Sequence, residues 1–287
     1  SGIEWLAEKS GKTILSGKSG YQKFEDKSDI PENAIYRIYS MTKPITAVLA
    51  LKLIEKGMLR LYDPVSSFIP SFNNLKVLNS DGTTEDILRP MNIEDLLTHR
   101  SGLTYDFLAW CHVAPLYSKQ AISDDASKSL EEKCEILSSI PLAYQPGTQF
   151  NYSVSLDVLA RIIEVISGKD FHIILKEEIF DPLEMSDTGF SVKEENLPKL
   201  MSTYGAKNFK DIMNIGPHVL SETNVNKHNP YDKGGSFQRG GTGLFSTTQD
   251  FLSFARMLLT GKSHNGEIIL SRSMLDFMKV NRLKKSQ

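Results

Sequence analysis

The sequence predicts an α/β (α+β) protein, and three observations carry that reading. Two β-prone runs around a polar turn open the chain. A helix-length apolar run follows a short strand-like stretch, and helical patterns with turn-rich breaks fill most of the remainder.

Residues 3–7 and 12–17 flank Glu8-Lys9-Ser10-Gly11, the pattern of a β-hairpin. Residues 34–39 (AIYRIY) form a short strand or an extended approach to the next element. Residues 44–55 (PITAVLALKLIE) are almost entirely apolar and stop at Gly57, which predicts a buried helix with a glycine just past its end. A turn-rich stretch with Asp63-Pro64 and Ile69-Pro70 comes next. Asn92 is placed to cap a short helix running to Thr98 and stopped by Ser101-Gly102. From about residue 73 to 228 the pattern is helical fragments and long loops. Residues 154–166 repeat apolar side chains at helical spacing and end at Gly168. Residues 248–259 follow Thr247, with Asp250 at the third helical position in the manner of a capping box, and Gly261 closes them. Just ahead of that helix, Arg239-Gly240-Gly241-Thr242-Gly243 permits close backbone approach or positive φ. Residues 207–235 are polar and irregular and predict a mobile loop, and residues 273–279 are helix-like. One hairpin and one short strand do not make a covered sheet, which needs at least three strands and an opposing layer.

At 287 residues and 40% hydrophobic content, the chain can bury a large core without metals or disulfides, as one large domain or two modest ones. A net charge of −2 and the lack of any basic run argue against nucleic acid as a partner. No apolar stretch reaches the length of a membrane span, and the longest candidate carries Lys52. The chain begins Ser1-Gly2 with no methionine, as an expression scar or a processing site would leave it, so the compartment stays open. Cys111 and Cys134 have no metal-ligand spacing and read as buried free thiols or one disulfide. The six histidines are scattered without paired spacing, so neither a metal nor a cofactor is expected.

The strongest chemical signal is Ser40-Met41-Thr42-Lys43 at the mouth of the apolar helix. Residues three apart share a helix face, so the Ser40 hydroxyl and the Lys43 amine can meet. A lysine drawn into a buried helix loses hydration that something must replace. The pair therefore reads as a serine nucleophile with a lysine base. The bland alternative is an N-cap serine with a lysine snorkelling from the first turn, and the tetrapeptide alone does not decide between them.

Several segments in order decide more. Ser40-Met41-Thr42-Lys43-Pro44 is followed by Asp63-Pro64-Val65 and Leu96-Leu97-Thr98-His99-Arg100-Ser101-Gly102-Leu103. Then come Gln145-Pro146-Gly147-Thr148-Gln149-Phe150-Asn151-Tyr152-Ser153-Val154 and Gly240-Gly241-Thr242-Gly243-Leu244-Phe245-Ser246-Thr247. Together they resemble the serine β-lactamase-like superfamily, which includes class C β-lactamases, D-alanyl-D-alanine peptidases and family VIII carboxylesterases. The resemblance covers nearly the whole chain. It implies a β-lactamase/transpeptidase-like fold: an antiparallel sheet flanked by helices (residues 1–62 and 236–287) and a mostly helical part (63–235) over the cleft. It implies acylation of Ser40, with Tyr152 matching the tyrosine of the second motif, so that Lys43 and Tyr152 form one coupled base. The implied partner is a small-molecule ester.

Two departures from the family pattern refine this. β-Lactamases usually carry an asparagine where Val154 stands; valine makes no such hydrogen bond, which favours the esterase branch. Hydrophobic residues after Ser101-Gly102, among them Tyr105, Phe107 and Trp110, line an acyl pocket or belong to the core, and Val154 is the fourth candidate for that pocket. The family's third motif lies on a strand beyond the Gly-Gly-x-Gly-Leu segment, and the chain ends first. Lys233-Gly234-Gly235 looks like it but precedes Gly240. The expected oxyanion hole is then the Ser40 backbone N–H plus a second donor not in this chain. An incomplete sheet would also leave an exposed edge for self-association or completion by another polypeptide.

Overall fold

The computed structural model describes residues 1–123, 125–206, 220–223, 230 and 237–283. The loop expected at 207–235, with Lys233-Gly234-Gly235, falls outside the described residues except for 220–223 and residue 230.

The opening hairpin forms and is longer than the sequence pattern suggests: β1 (Gly2–Lys9) pairs antiparallel with β2 (Lys12–Gly20). Its apolar and polar faces are inverted. Ile3, Ile14 and Leu15 are exposed. Glu4 and Glu8 turn inward, where they accept hydrogen bonds from Thr248 Oγ1 at 2.9 Å and Arg256 Nε at 2.7 Å. β3 (Ile35–Arg37) leads through a 3₁₀ turn at Tyr39–Met41 into α1 (Thr42–Glu55). Burial on every face of α1, from Ile45 to Leu53, explains why its sequence is apolar throughout rather than striped. Lys52, near the far end of α1, is accommodated by an ion pair of 2.9 Å with Glu178, which sits in a π-helical turn at Lys176–Phe180.

A second hairpin that the sequence reading missed follows, β4 (Lys76–Leu78) with β5 (Thr84–Asp86). α2 (Ile93–Leu97) begins where expected. Asn92 accepts from Asp95 N–H, and the Asp95 side chain returns the bond to Asn92 N–H, a complete capping box. Three helices come next: α3 (Ala114–Lys119), α4 (Leu130–Ser138) and α5 (Ser155–Ser167). α4 starts with a second box, between Ser129 and Glu132. Cys111 and Cys134 are buried free thiols.

α6 (Phe171–Leu175), then β6 (Tyr204–Ala206) paired with β7 (Leu220–Glu222), complete the middle. β8 (Phe245–Thr247) returns to pair antiparallel with β3. It runs directly into α7 (Thr248–Thr260), and α8 (Arg272–Met278) follows. Thr247 caps α7 by accepting from Asp250 N–H at 3.1 Å. The reciprocal half of the expected box is replaced: the Asp250 carboxylate accepts from Asp187 N–H at 2.9 Å and Thr188 Oγ1 at 2.8 Å.

Among the described residues the strands thus form four two-stranded antiparallel ladders. The main core is built around α1 and α5, where Ile45, Val48, Leu49 and Leu53 share one cluster with Leu156, Leu159, Ile162 and Ile163. No helix among the described residues is long and apolar enough to cross a membrane.

Candidate active site

The N-terminal end of α1, the start of α5 and the glycine segment before β8 converge at one corner. Tyr39, immediately before the serine, has φ of 43°. A left-handed tyrosine costs about 1–3 kcal/mol, and such strain persists where the surroundings over-determine it. Ser40 is exposed, while Lys43 and Tyr152 are half-buried.

Ser40 Oγ lies 2.7 Å from Tyr152 OH, and Lys43 Nζ donates to Ser40 Oγ at 3.1 Å. The ammonium also donates to the Gly241 carbonyl at 2.6 Å. It stands over two phenol rings, 4.6 Å from the Tyr152 centroid and 5.3 Å from that of Tyr105, where the ring quadrupoles favour a cation. The three residues expected to act together are brought together. Ser40 and Lys43 meet because they are three apart along one helical path; Tyr152 arrives on the loop that enters α5.

Tyr152 is held between two further rings. Its centroid is 4.9 Å from His99 and 5.3 Å from Tyr105. Burial, with the Lys43 charge beside it, lowers the His99 pKa from 6.5 to about 4, so the imidazole is neutral near pH 7. Ser153 N–H donates to His99 Nδ1 at 3.3 Å, which puts the ring proton on Nε2. From there a run of buried hydroxyls continues: Ser153 Oγ to Ser155 Oγ at 2.7 Å, and Ser155 Oγ to Ser101 Oγ at 2.7 Å. Leu103 N–H donates to Ser101 Oγ at 3.1 Å and closes the run. The segment around Ser101-Gly102 and the Tyr152-Ser153 segment are thereby joined through side chains.

Behind the corner lies a buried ion pair. Lys133 on α4 donates to Asp157 Oδ2 on α5 at 2.6 Å, and Gly241 N–H donates to Asp157 Oδ1 at 2.7 Å. Burial alone would raise the Asp157 pKa, but the Lys133 and Arg239 charges and the Gly241 N–H hold it below its ordinary value. Burial and the Asp157 carboxylate push the Tyr105 pKa well above 10, so that phenol stays neutral.

The pocket candidates separate. Tyr105 is buried against the corner and stacks on Phe107, with ring centroids 4.8 Å apart. Phe107 is 64% exposed and Trp110 76% exposed, both out on the surface. Val154 is wholly buried in the main core and presents no side-chain surface to the corner. Of the four, Tyr105 is the one whose ring faces Lys43 and Tyr152.

The family model described as beta-lactamase matches residues 1–280. The chain belongs to the beta-lactamase family. Protein Rv1367c of Mycobacterium tuberculosis (strain ATCC 25618 / H37Rv) is 30% identical over 295 residues, covering 100% of this chain and 69% of that protein. Lovastatin esterase of Penicillium rubens is 29% identical over 273 residues, covering 93% of this chain and 62% of that enzyme. Among solved structures, EstCE1, described as a hydrolase with promiscuous acyltransferase activity, superposes with a TM-score of 0.75 at 24% identity. That match covers 96% of this chain and 70% of the other. The fold is accordingly β-lactamase/transpeptidase-like. As a member of the beta-lactamase family, the chain is of the hydrolase or acyltransferase type that family contains.

His99, Lys133, Asp157 and Gly241 are the residues at this site that sequence reasoning did not single out. The glycine run was read as a place of close approach without a partner. Asp157 stands in the first turn of α5, where an acid needs no explanation beyond the helix dipole. Lys133 follows the Ser129 capping box and looks like a surface lysine. His99 and Gly241 left a signal, as parts of segments already matched to the family.

Proposed function

We propose that this chain is a serine hydrolase that cleaves carboxylic esters of small molecules through an acyl-Ser40 intermediate. The observation that carries the reading is the 2.7 Å and 3.1 Å placement of Tyr152 OH and Lys43 Nζ around Ser40 Oγ. In the acylation step the Lys43 and Tyr152 couple acts one proton short, as ammonium and phenolate or amine and phenol; Oγ attacks the ester carbonyl and its proton passes to that couple. The couple returns that proton to the departing alkoxide, which leaves as an alcohol. Water then attacks the acyl carbonyl, gives a proton to the same couple, and Ser40 recovers it as the acid departs. The Ser40 backbone N–H, just ahead of α1, is one oxyanion donor.

Preference for esters over β-lactams follows from Val154. A valine in place of an amide removes a hydrogen-bonding partner for a peptide-like arm, and its complete burial removes it from the corner altogether. The lovastatin esterase relative supports the same substrate class.

The test is intact-mass analysis after a fluorophosphonate, with turnover of a p-nitrophenyl ester and a chromogenic cephalosporin, on wild type and Ser40→Ala. We expect one adduct that vanishes in Ser40→Ala and an ester rate that falls about 10³-fold or more. Faster turnover of the cephalosporin would move the reading to a β-lactamase or peptidase. Unchanged ester turnover in Ser40→Ala, or a folded wild type that takes no adduct, would end it in favour of another nucleophile or a silent relative.

A further inference from the structure

We propose that Asp157, tied to Lys133, is a positioning residue that fixes the Gly241 backbone so that the Gly241 carbonyl holds the Lys43 ammonium beside Ser40. This rests on the acyl-Ser40 reading and adds to it a group that touches neither substrate nor nucleophile.

The geometry is a two-point clamp on one peptide plane. The peptide joining Gly240 to Gly241 has its carbonyl bonded by Thr46 Oγ1 at 2.7 Å and its N–H bonded to Asp157 Oδ1 at 2.7 Å. Thr46 is three residues beyond Lys43 on α1, so the helix that carries the lysine also grips the loop that receives it. Two successive glycines would otherwise leave this backbone free to rotate, and the carbonyl after them would have no fixed direction. With the plane fixed at both ends, the Gly241 carbonyl is aimed at Lys43 Nζ at 2.6 Å.

Glycine is required at both positions by proximity rather than by φ. A Cβ on Gly240 would lie 1.9 Å from the Leu156 carbonyl oxygen, the chain of α5 itself. On Gly241 it would lie 2.9 Å from Tyr105 OH, 3.2 Å from Asp157 Oδ1 and 3.4 Å from Lys43 Nζ. The glycine segment is therefore pressed between the two core helices, and the groups crowding Gly241 are those of the site.

The ion pair is not explained by stability. Both side chains are almost wholly buried, at 5% and 2% exposure. An apolar pair of similar volume is commonly as stable as a buried ion pair or more so. What an apolar pair cannot supply is an acceptor for Gly241 N–H. Lys133 occupies one carboxylate oxygen and leaves the other aimed at the loop.

Because removing one partner strands a buried charge, the test uses neutral double variants. Lys133→Met/Asp157→Asn keeps an acceptor for Gly241 N–H, and Lys133→Met/Asp157→Leu has none. The readouts are the rate constant for fluorophosphonate labelling of Ser40, kcat and KM on an ester, and the thermal unfolding transition. We expect the leucine version to be labelled about 10- to 100-fold more slowly, the cost of a misplaced catalytic group, with KM little changed. The asparagine version should recover most of that loss. Thr46→Val, isosteric and at the other end of the clamp, should lower kcat in the same way by about three- to tenfold, and it reads the clamp even if the leucine version does not fold. Equal labelling of the two double variants, or labelling that merely follows the folded fraction, overturns the inference; so does wild-type kcat in Thr46→Val. A wild type that takes no label overturns the acyl-Ser40 reading and this inference together, whereas a labelled wild type with indifferent variants overturns this inference alone.

Discussion

The open corner and the layer behind it are built on opposite terms. At the corner, Ser40 is exposed, Tyr39 is strained at φ 43°, and Lys43 and Tyr152 share one hydroxyl across 2.7 and 3.1 Å. One layer deeper, Lys133, Asp157, Ser101, Ser153 and Ser155 are buried, and each has hydrogen-bond partners within the protein. The corner holds groups that must exchange protons and admit substrate. The layer holds groups that must not move. A buried polar network is rigid when its groups are satisfied; the hydroxyl run is closed by Leu103 N–H, and the ion pair by Gly241 N–H. The corner thus joins an exposed nucleophile to a strained neighbour, with satisfied polarity placed directly underneath.

If that division is right, changes at the corner act on rate and changes in the layer act first on stability. Tyr152→Phe should be the largest effect. Loss of the hydroxyl 2.7 Å from Ser40 Oγ removes half of the coupled base, and ester kcat should fall about 10²- to 10⁴-fold. Urea unfolding should move little, because the half-buried ring remains. A large loss of stability with intact specific activity would reverse the comparison. Next is Lys133→Met alone, which takes the ion-pair partner from the buried Asp157 carboxylate and leaves it only the Arg239 charge and the Gly241 N–H. It should destabilise the protein by about 3–5 kcal/mol in urea unfolding. Lys133→Met/Asp157→Asn should restore much of that stability, since the carboxylate is neutralised along with its ion-pair partner and Arg239 keeps its hydrogen bonds to the Gln238, Asp125 and Lys128 carbonyls.

The corner was legible in the sequence and the layer was not, for a physical reason. Ser40 and Lys43 are three residues apart, so helical periodicity alone places them together. Tyr152 needed the family pattern, because nothing local ties position 152 to position 40. The layer is assembled from contacts across the chain: Lys133 with Asp157, Asp157 with Gly241, His99 with Ser153. None of these pairs leaves a spacing that periodicity can detect. The fold shows the same split. Helices with caps were found close to their ends, as at Asn92, Thr247, Gly168 and Gly261. The three-residue strands β4 to β8 were missed, because three residues are too few to show alternation and their partners are set by tertiary contact. Phe107 and Trp110, offered as a pocket by their hydrophobicity, are both exposed, Phe107 stacked on Tyr105 and so beside the corner.

His99 sits on the boundary between the two regions and gives the smallest and most discriminating prediction. Its pKa is lowered from 6.5 to about 4 by burial and by the Lys43 charge. In the unfolded chain the imidazole takes up a proton below about pH 6.5, while in the folded protein it stays neutral down to about pH 4. Over that interval the unfolded state binds more protons, so its contribution to stability is fully present above about pH 6.5 and is lost as the pH falls toward 4. At about 1.4 kcal/mol per pH unit, the loss comes to about 3 kcal/mol. His99 also has a left-handed φ of 53°, which asparagine adopts readily, and an asparagine oxygen can accept from Ser153 N–H as Nδ1 does. His99→Asn should therefore fold, and its urea-unfolding free energy should fall by about 3 kcal/mol less than that of wild type between pH 6.5 and 4. Parallel curves for the two proteins would place His99 with the solvent-exposed corner, protonating freely, and would remove the neutral imidazole from the account of how Tyr152 is held.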